Sequence, residues 1–177
     1  EEILIPFLNH IIASDIKINL HTPNALNARF LTPEIAKLMT RAGFKTFYLG
    51  FESGSKKILQ LMNKRFQPEE VARISTSLKK HGIQSMGFLL LGGPGETKET
   101  VRESLDFADS LDSESMKVTV GMRIYPNTLL AKIAMDEGMI SRKDNLLFPR
   151  FYINPQLQEW IGESVDDLMK TRPHWCS

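Results

Sequence analysis

Residues 87–96 read GFLLLGGPGE, an apolar run that stops in two glycines, a proline, a third glycine and an acid. A run this short and apolar, bounded by turn residues, predicts a buried strand. After the turn, Val101, Leu105, Ala108 and Leu111 repeat at helical spacing from about Lys98. The same order recurs on either side. KTFYLGFES, residues 45–53, is a strand, and Pro68-Glu69-Glu70 opens a helix carrying Val71, Ile74 and Leu78 that Gly82 closes. DIKINLH, residues 15–21, alternates like a strand. Thr32-Pro33-Glu34 then starts a helix bearing Ile35, Leu38, Met39 and Ala42 and stopping at Gly43. MKVTVGMRI, residues 116–124, is a fourth strand. Asn127-Thr128 caps a helix with Leu130, Ile133 and Ala134 that ends at Gly138.

Strand, helix, strand at βαβ spacing means parallel strands with right-handed crossovers, an α/β fold. The near-continuous runs FYLGF and FLLLG are expected to be covered on both faces. Two architectures fit: a doubly wound sheet, or part of a (βα) barrel, whose complete form has eight units and typically ~250 residues. Beyond Gly138 the rhythm stops. SRKDNLLFPRFYINP is irregular and aromatic, and QLQEWIGESVDDLMK predicts an amphipathic helix with Leu157, Trp160, Ile161, Val165 and Leu168 on one face. Residues 1–140 therefore read as the core and 141–177 as an extension packing across the sheet or its open edge.

Composition narrows the function. The chain has 177 residues and net charge +1, and basic doublets such as Lys56-Lys57 and Lys79-Lys80 read as solvated helix faces. No face is basic enough for a nucleic-acid backbone. No apolar stretch reaches the ~18 residues of a membrane span. The N-terminal EEILIPFLNHII lacks the basic region and cleavage signal of a secretory leader, so a cytoplasmic protein is expected. The single cysteine, Cys176, excludes a disulfide framework and any multi-cysteine metal site within these residues. His10, His81 and His174 carry no site signature.

In both architectures ligands bind at the C-terminal strand ends. There the chain places His21-Thr22-Pro23-Asn24, Glu52-Ser53, Gly92-Gly93-Pro94-Gly95-Glu96 and Arg123-Ile124-Tyr125-Pro126. Glu52 and Ser53 are suited to the vicinal hydroxyls of a ribose; equally, Ser53 and Gly54 start the helix of SKKILQLMN with Glu52 in solvent. The glycine turn suits close backbone approach to a flat or anionic ligand; equally, it is a tight turn whose Glu96 and Thr97 favour a helix N-terminus. It is not a phosphate loop, since GK[ST] is missing.

The strings AGFKTFYLGFESGSKKILQLMNK, LKKHGIQSMGFLLLGGPGETKETVRESLDFA and RIYPNTLLAKIAMDEGMI together resemble the radical SAM superfamily, and most of all its subgroup with a cobalamin-binding domain upstream. HTPNALNARFLTPEIAKLMTRAGF fits the preceding strand and helix, so the resemblance runs from about Ile16 to Ile140. It implies a partial TIM barrel of six βα units that binds S-adenosylmethionine (SAM) at the strand tips. A reduced [4Fe–4S] cluster cleaves the SAM to a 5′-deoxyadenosyl radical, which abstracts hydrogen from a small-molecule substrate. On that likeness Glu52 and Ser53 meet the SAM ribose or methionyl group. The I-x-G-x-x-E pattern falls on Leu91, Gly93 and Glu96, with Leu91 and Gly92 near the adenine. His21, Asn24, Arg29, Arg123 and Tyr125 are candidates for the substrate side.

The likeness is incomplete in three places. Leu89 stands where the pattern opens with glycine, and YPGT appears as YPNT, where Asn127 tolerates the left-handed turn. The CxxxCxxC loop that holds the cluster is absent, so the chain resembles strands three to six of the barrel plus a tail, and is expected to be inactive by itself. A half-barrel also exposes a strand edge near residues 15–21. Self-association through that edge, or its cover by the tail, is expected. The competing readings are a nucleotide-binding or interaction module without redox chemistry, and a flavin- or phosphate-binding half-barrel.

Overall fold

The computed structural model describes residues 2–22 and 31–177, so Asn24 and Arg29 lie outside the described residues. After helix α1 (Leu4–Ala13) come β1 (Leu20–His21), α2 (Pro33–Arg41), β2 (Phe44–Glu52), α3 (Lys56–Leu61), α4 (Pro68–Lys80), β3 (Gln84–Leu91) and α5 (Lys98–Ser110). Strands β4 (Ser115–Val120) and β5 (Met122–Arg123), helix α6 (Leu129–Asp136), β6 (Phe151–Tyr152), α7 (Gln158–Lys170) and β7 (Trp175–Cys176) follow. The main sheet is parallel, in the order β1-β2-β3-β4-β7, and β5 pairs with β6 in a separate antiparallel ribbon. Among the described residues no helix is long and apolar enough to cross a membrane.

The helix starts follow local chemistry. Thr32 Oγ1 accepts from Ile35 N–H at 3.3 Å, with Pro33 at the first helical position. Thr97 and Thr100 cap α5 reciprocally, each hydroxyl accepting from the other's N–H. Thr128 Oγ1 accepts from Ala131 N–H at 3.1 Å, and Asn127 before it is left-handed at φ 61°, as the YPNT turn requires.

Burial corrects one expectation. Strands β2 and β3 are not covered on both faces: buried residues alternate with half-exposed ones along each. Phe47, Leu49, Phe51, Leu89 and Leu91 pack with Met39, Leu78, Val101 and Leu105 of the helices. Tyr48 and Phe88 lie on the other face, ring edge to ring at 5.5 Å. A doubly wound sheet carries helices on both faces; one helix-backed face and one open face is the arrangement of a barrel wall.

Two strand boundaries also differ from expectation. Of residues 15–21 only Leu20 and His21 form β1, because the parallel register sets Leu20 opposite Phe44, where β2 begins. Earlier residues have no strand beside them on that side. The run 116–124 breaks at Gly121, whose φ of +91° turns the chain out of the sheet and into the ribbon with β6.

The extension is built into this sheet. Leu157, Ile161, Val165 and Trp175 belong to the same buried cluster as Leu91 and Val101. Arg172 pairs with Asp109 of α5, Nε to Oδ1 at 2.6 Å, and stacks on Trp175 at 5.3 Å. The tail thus covers the β4 edge through β7, and not the β1 edge at residues 15–21. Burial of large side chains drives this docking. Trp175→Ala should cost about 3–5 kcal/mol of unfolding free energy, read by urea denaturation. A loss below about 1 kcal/mol would mean that the tail is not part of the cooperative core.

Candidate functional site

Because β2, β3 and β4 are parallel and adjacent, their C-terminal ends share one rim, and Glu52, Ser53 and the glycine turn lie there. At the end of β3, Gly92 turns at φ +90°. The backbone N–H groups of Gly92 and Gly93 both donate to Glu96 Oε2, the second at 2.7 Å. Glu96 is only 1% exposed, and its Oε1 is buried with no hydrogen-bond partner among the described residues. The acid of the motif therefore faces inward and shapes the turn, while Leu91 is wholly buried in the core. Gly93, Pro94 and Gly95 are left to line the rim.

An apolar cleft of about 300 Å³ opens beside them. Met62, after α3, and Met122 of β5 form its walls with the turn, and Leu130 and Ile133 of α6 close one side. A Cβ on Gly93 would stand 2.8 Å from Met122 Sδ and 3.8 Å from Met62 Cε, so the turn is bare where the cleft is narrow. Methionine side chains are flexible, so these two walls can adjust to what packs against them.

At the end of β2 the two predicted partners separate. Glu52 is left-handed at φ 63°, a strained state for a residue with a side chain, beside a register shift in the β2–β3 ladder. Its carboxylate is half-buried and pairs with Lys64 at 2.5 Å. Ser53 is wholly buried and turned inward: its Oγ lies 2.8 Å from Ser104 Oγ of α5 and accepts from Ser55 N–H at 3.1 Å. Ser104 Oγ also accepts from Gly54 N–H. The Ser53 hydroxyl, expected at a ribose, is thus engaged inside the protein. Helix α3 does start just beyond, at Lys56, but Glu52 is ion-paired and does not sit in open solvent.

His21 is exposed at the end of β1. Arg123 and Tyr125 are exposed at the end of β5, with the guanidinium 4.9 Å over the phenol ring. Sequence reasoning missed Lys64, which marks Glu52 by charge, and Met62 and Met122, which carried no signal beyond core filling. It also missed Asn154, whose only mark is the Asn-Pro step, a turn signal. Tyr152 is buried and its hydroxyl donates to Glu137 at 3.2 Å; burial first, then that acid, pushes its pKa to about 12, so it stays neutral. Among the described residues no group of three His, Cys, Asp or Glu side chains converges to hold a metal.

The sequence pattern of the Radical SAM superfamily matches residues 2–108. An uncharacterized methyltransferase of Pyrococcus horikoshii is 32% identical over 77% of this chain and 30% of its own length. A tRNA-2-methylthio-N(6)-dimethylallyladenosine synthase of Buchnera aphidicola is 27% identical over 69% of this chain and 28% of its own length. The chain thus spans less than a third of these relatives. The radical S-adenosylmethionine methyltransferase TsrM from Kitasatospora setae, solved with cobalamin and a [4Fe–4S] cluster, shares the fold at TM-score 0.75 and 17% identity. It is matched over 97% of this chain and 42% of its own.

Burial pushes the Glu96 carboxyl above the usual range, and the hydrogen bonds from Gly93 and Gly92 oppose this without cancelling it. The folded protein therefore holds that proton more tightly than the unfolded chain. The group's contribution to stability is complete below the unfolded pKa of about 4.3 and is lost as pH rises through the raised value. Glu96→Gln keeps an acceptor for the two amides and removes the ionisation. In urea titrations between about pH 4 and about pH 7, the stability of Glu96→Gln relative to wild type should rise with pH. A difference that does not change with pH would show that Glu96 ionises without penalty.

Proposed function

The chain belongs to the radical SAM superfamily, and from that premise we propose that its glycine-walled cleft receives the nucleoside of S-adenosylmethionine in a SAM-dependent radical enzyme. The observation that carries this reading is the approach of two side-chain-free residues, Gly93 and Gly95, with Pro94 between them, to an apolar cleft at the C-terminal strand rim. A purine is flat and apolar on its faces and polar at its edge. A wall of two glycines and a proline, with only the flat Pro94 ring projecting from it, allows the purine to lie close to the backbone, with Met62 and Met122 packing on it.

In this reading the residues divide the labour. Glu96 shapes the turn from within and does not itself meet the ligand, and Leu91 supports it from the core. Gly93 and Gly95 present the backbone to the cleft, and Gly92, bonded on both sides, turns the chain into it. Glu52, held by Lys64 at the neighbouring strand tip, is the carboxylate available to the ribose hydroxyls. Ser53 acts through its fold: by bonding Ser104 it sets the angle at which Glu52 leaves the strand. Arg123 and Tyr125 form an exposed cationic and aromatic step for a small-molecule substrate; His21 stands on the same rim.

A [4Fe–4S] cluster would supply the electron that starts radical chemistry from SAM. These residues do not fit it: the lone thiol, Cys176, is exposed on β7, and a cluster takes several thiolates. The cluster ligands, and through the subgroup resemblance a cobalamin domain, belong to other parts of the intact enzyme in this proposal. The methyltransferase and methylthio-forming relatives support group transfer as its reaction class.

Gly93→Val tests the cleft. Its backbone is not left-handed, so the substitution adds side chain without turn strain and places it against Met122. Titration calorimetry of the intact protein with SAM should show affinity reduced by at least about tenfold, more than 1.4 kcal/mol. Unchanged affinity in a folded Gly93→Val protein would remove the nucleoside from this cleft.

A further inference from the structure

We propose that Asn154, in the segment after β6, is the positioning residue that holds the glycine turn in its ligand-receiving shape; this rests on the reading of the cleft as the nucleoside site. Its backbone N–H donates to the carbonyl of Gly92 at 2.8 Å, and its side-chain Nδ2 donates to the carbonyl of Glu96 at 3.0 Å. Those carbonyls are the two ends of the turn. Between them lie Gly93, Pro94 and Gly95, the stretch that walls the cleft. One residue of the extension thus ties both ends from outside, while the Glu96 carboxylate gathers the amides from inside.

Asn154 is itself fixed. Its Oδ1 accepts from Gln156 N–H at 3.0 Å and its carbonyl from Leu157 N–H at 2.8 Å, so all four of its polar groups are engaged. Pro155 follows and restricts Asn154 away from helical backbone. The preceding Ile153 fills the space beside two glycines: it lies 3.4 Å from a Cβ built on Gly92 and 3.2 Å from one on Gly121. The extension reads the missing side chains of the turn as a groove and seats Ile153 in it. Ile161 of α7 backs the same place, 3.7 Å from that Gly92 Cβ.

A glycine-rich turn is otherwise a poor wall, because glycine visits many conformations that a ligand would have to freeze. Fixing the turn before binding removes that ordering cost. Asparagine suits the task, since its amide donates to the Glu96 carbonyl while its oxygen caps the next turn of chain. Asn154 touches no ligand in this account; it acts through Gly92 and Glu96.

The test uses the intact protein and two variants. Asn154→Asp keeps the oxygen that caps Gln156 and both backbone bonds, but sets an oxygen against the Glu96 carbonyl. Asn154→Ala removes the side-chain donor without adding charge. In both, amide hydrogen exchange across residues 92–96 should accelerate by about tenfold or more, while Val101 and Leu105 of α5 keep their wild-type protection. SAM affinity should fall by about tenfold, through the lost preorganisation, with the melting temperature little changed. A general loss of packing would instead raise exchange in α5 and lower melting along with affinity. Unaltered exchange at 92–96 in both variants overturns the proposal. Wild-type protein that takes up no SAM overturns the cleft reading instead, and the exchange result still decides whether Asn154 holds the turn.

Discussion

A carboxylate removed from water and set against two backbone amides allows β3 to end in bare glycine. The N–H groups of Gly92 and Gly93 point the same way at the strand end, and Glu96 accepts both through one oxygen. Without that acceptor two buried donors would be unpaired, each at a cost of about 1–3 kcal/mol. The arrangement carries its own penalty, since the second oxygen is buried without a partner among the described residues. A feature that is locally unfavourable and still enclosed by the core is the kind of strain that collects where a surface is shaped for a ligand.

Helix α5 couples this turn to the neighbouring strand. It starts immediately after the turn at Lys98, where its N-terminal end favours the adjacent negative charge. Two turns later it presents Ser104 to the end of β2, where the serine hydroxyl bonds Ser53 and Gly54. Gly54 has to be glycine there: a Cβ would come within 2.4 Å of Phe107 Cβ. One helix therefore closes the turn of the strand before it and pins the tip of the strand beyond. Glu52 and Gly93 stand at the ends of adjacent strands that this one helix ties together.

What was legible in the amino-acid pattern was what periodicity and capping can carry. FYLGF and FLLLG are strands because they bury one face among helices spaced at three and four residues, and Thr32, Thr97 and Thr128 mark helix starts by their hydroxyls. The glycine turn and the candidate rim were visible for the same reason: parallel βα order sends every strand end to one side. Inward and outward orientation was not legible. Ser53 and Glu96 are polar residues at a strand end, and nothing in their spacing says that both turn into the protein, because their partners Ser104 and the two glycine amides are set by packing between elements. Residues 15–19 alternate like a strand, but a ladder needs a neighbour, and β2 starts too late to provide one. Met116 to Ile124 reads as one strand because its only break is a glycine, Gly121, which a strand pattern tolerates. The two-residue strand β7 is too short for any periodicity to reveal.

The extension bears on the family likeness in a specific way. The shared pattern ends at residue 108, yet Ile153, Asn154 and Ile161 lie against Gly92 and the Glu96 carbonyl. The turn is therefore closed from two sources: Glu96, inside the shared region, and a segment more than fifty residues downstream. The ribbon of β5 and β6 makes this possible. Gly121 turns the chain out of the sheet, β5 carries it away as Met122 and Arg123, and β6 returns antiparallel to it. That return brings residues 153 and 154 back to the strand ends, where Met122 already lines the cleft. Met122 and Asn154 are thus placed by one ribbon and the segment that leaves it. Arg123 lies on the same ribbon, next to Met122, so the ribbon also sets where that exposed guanidinium stands on the rim.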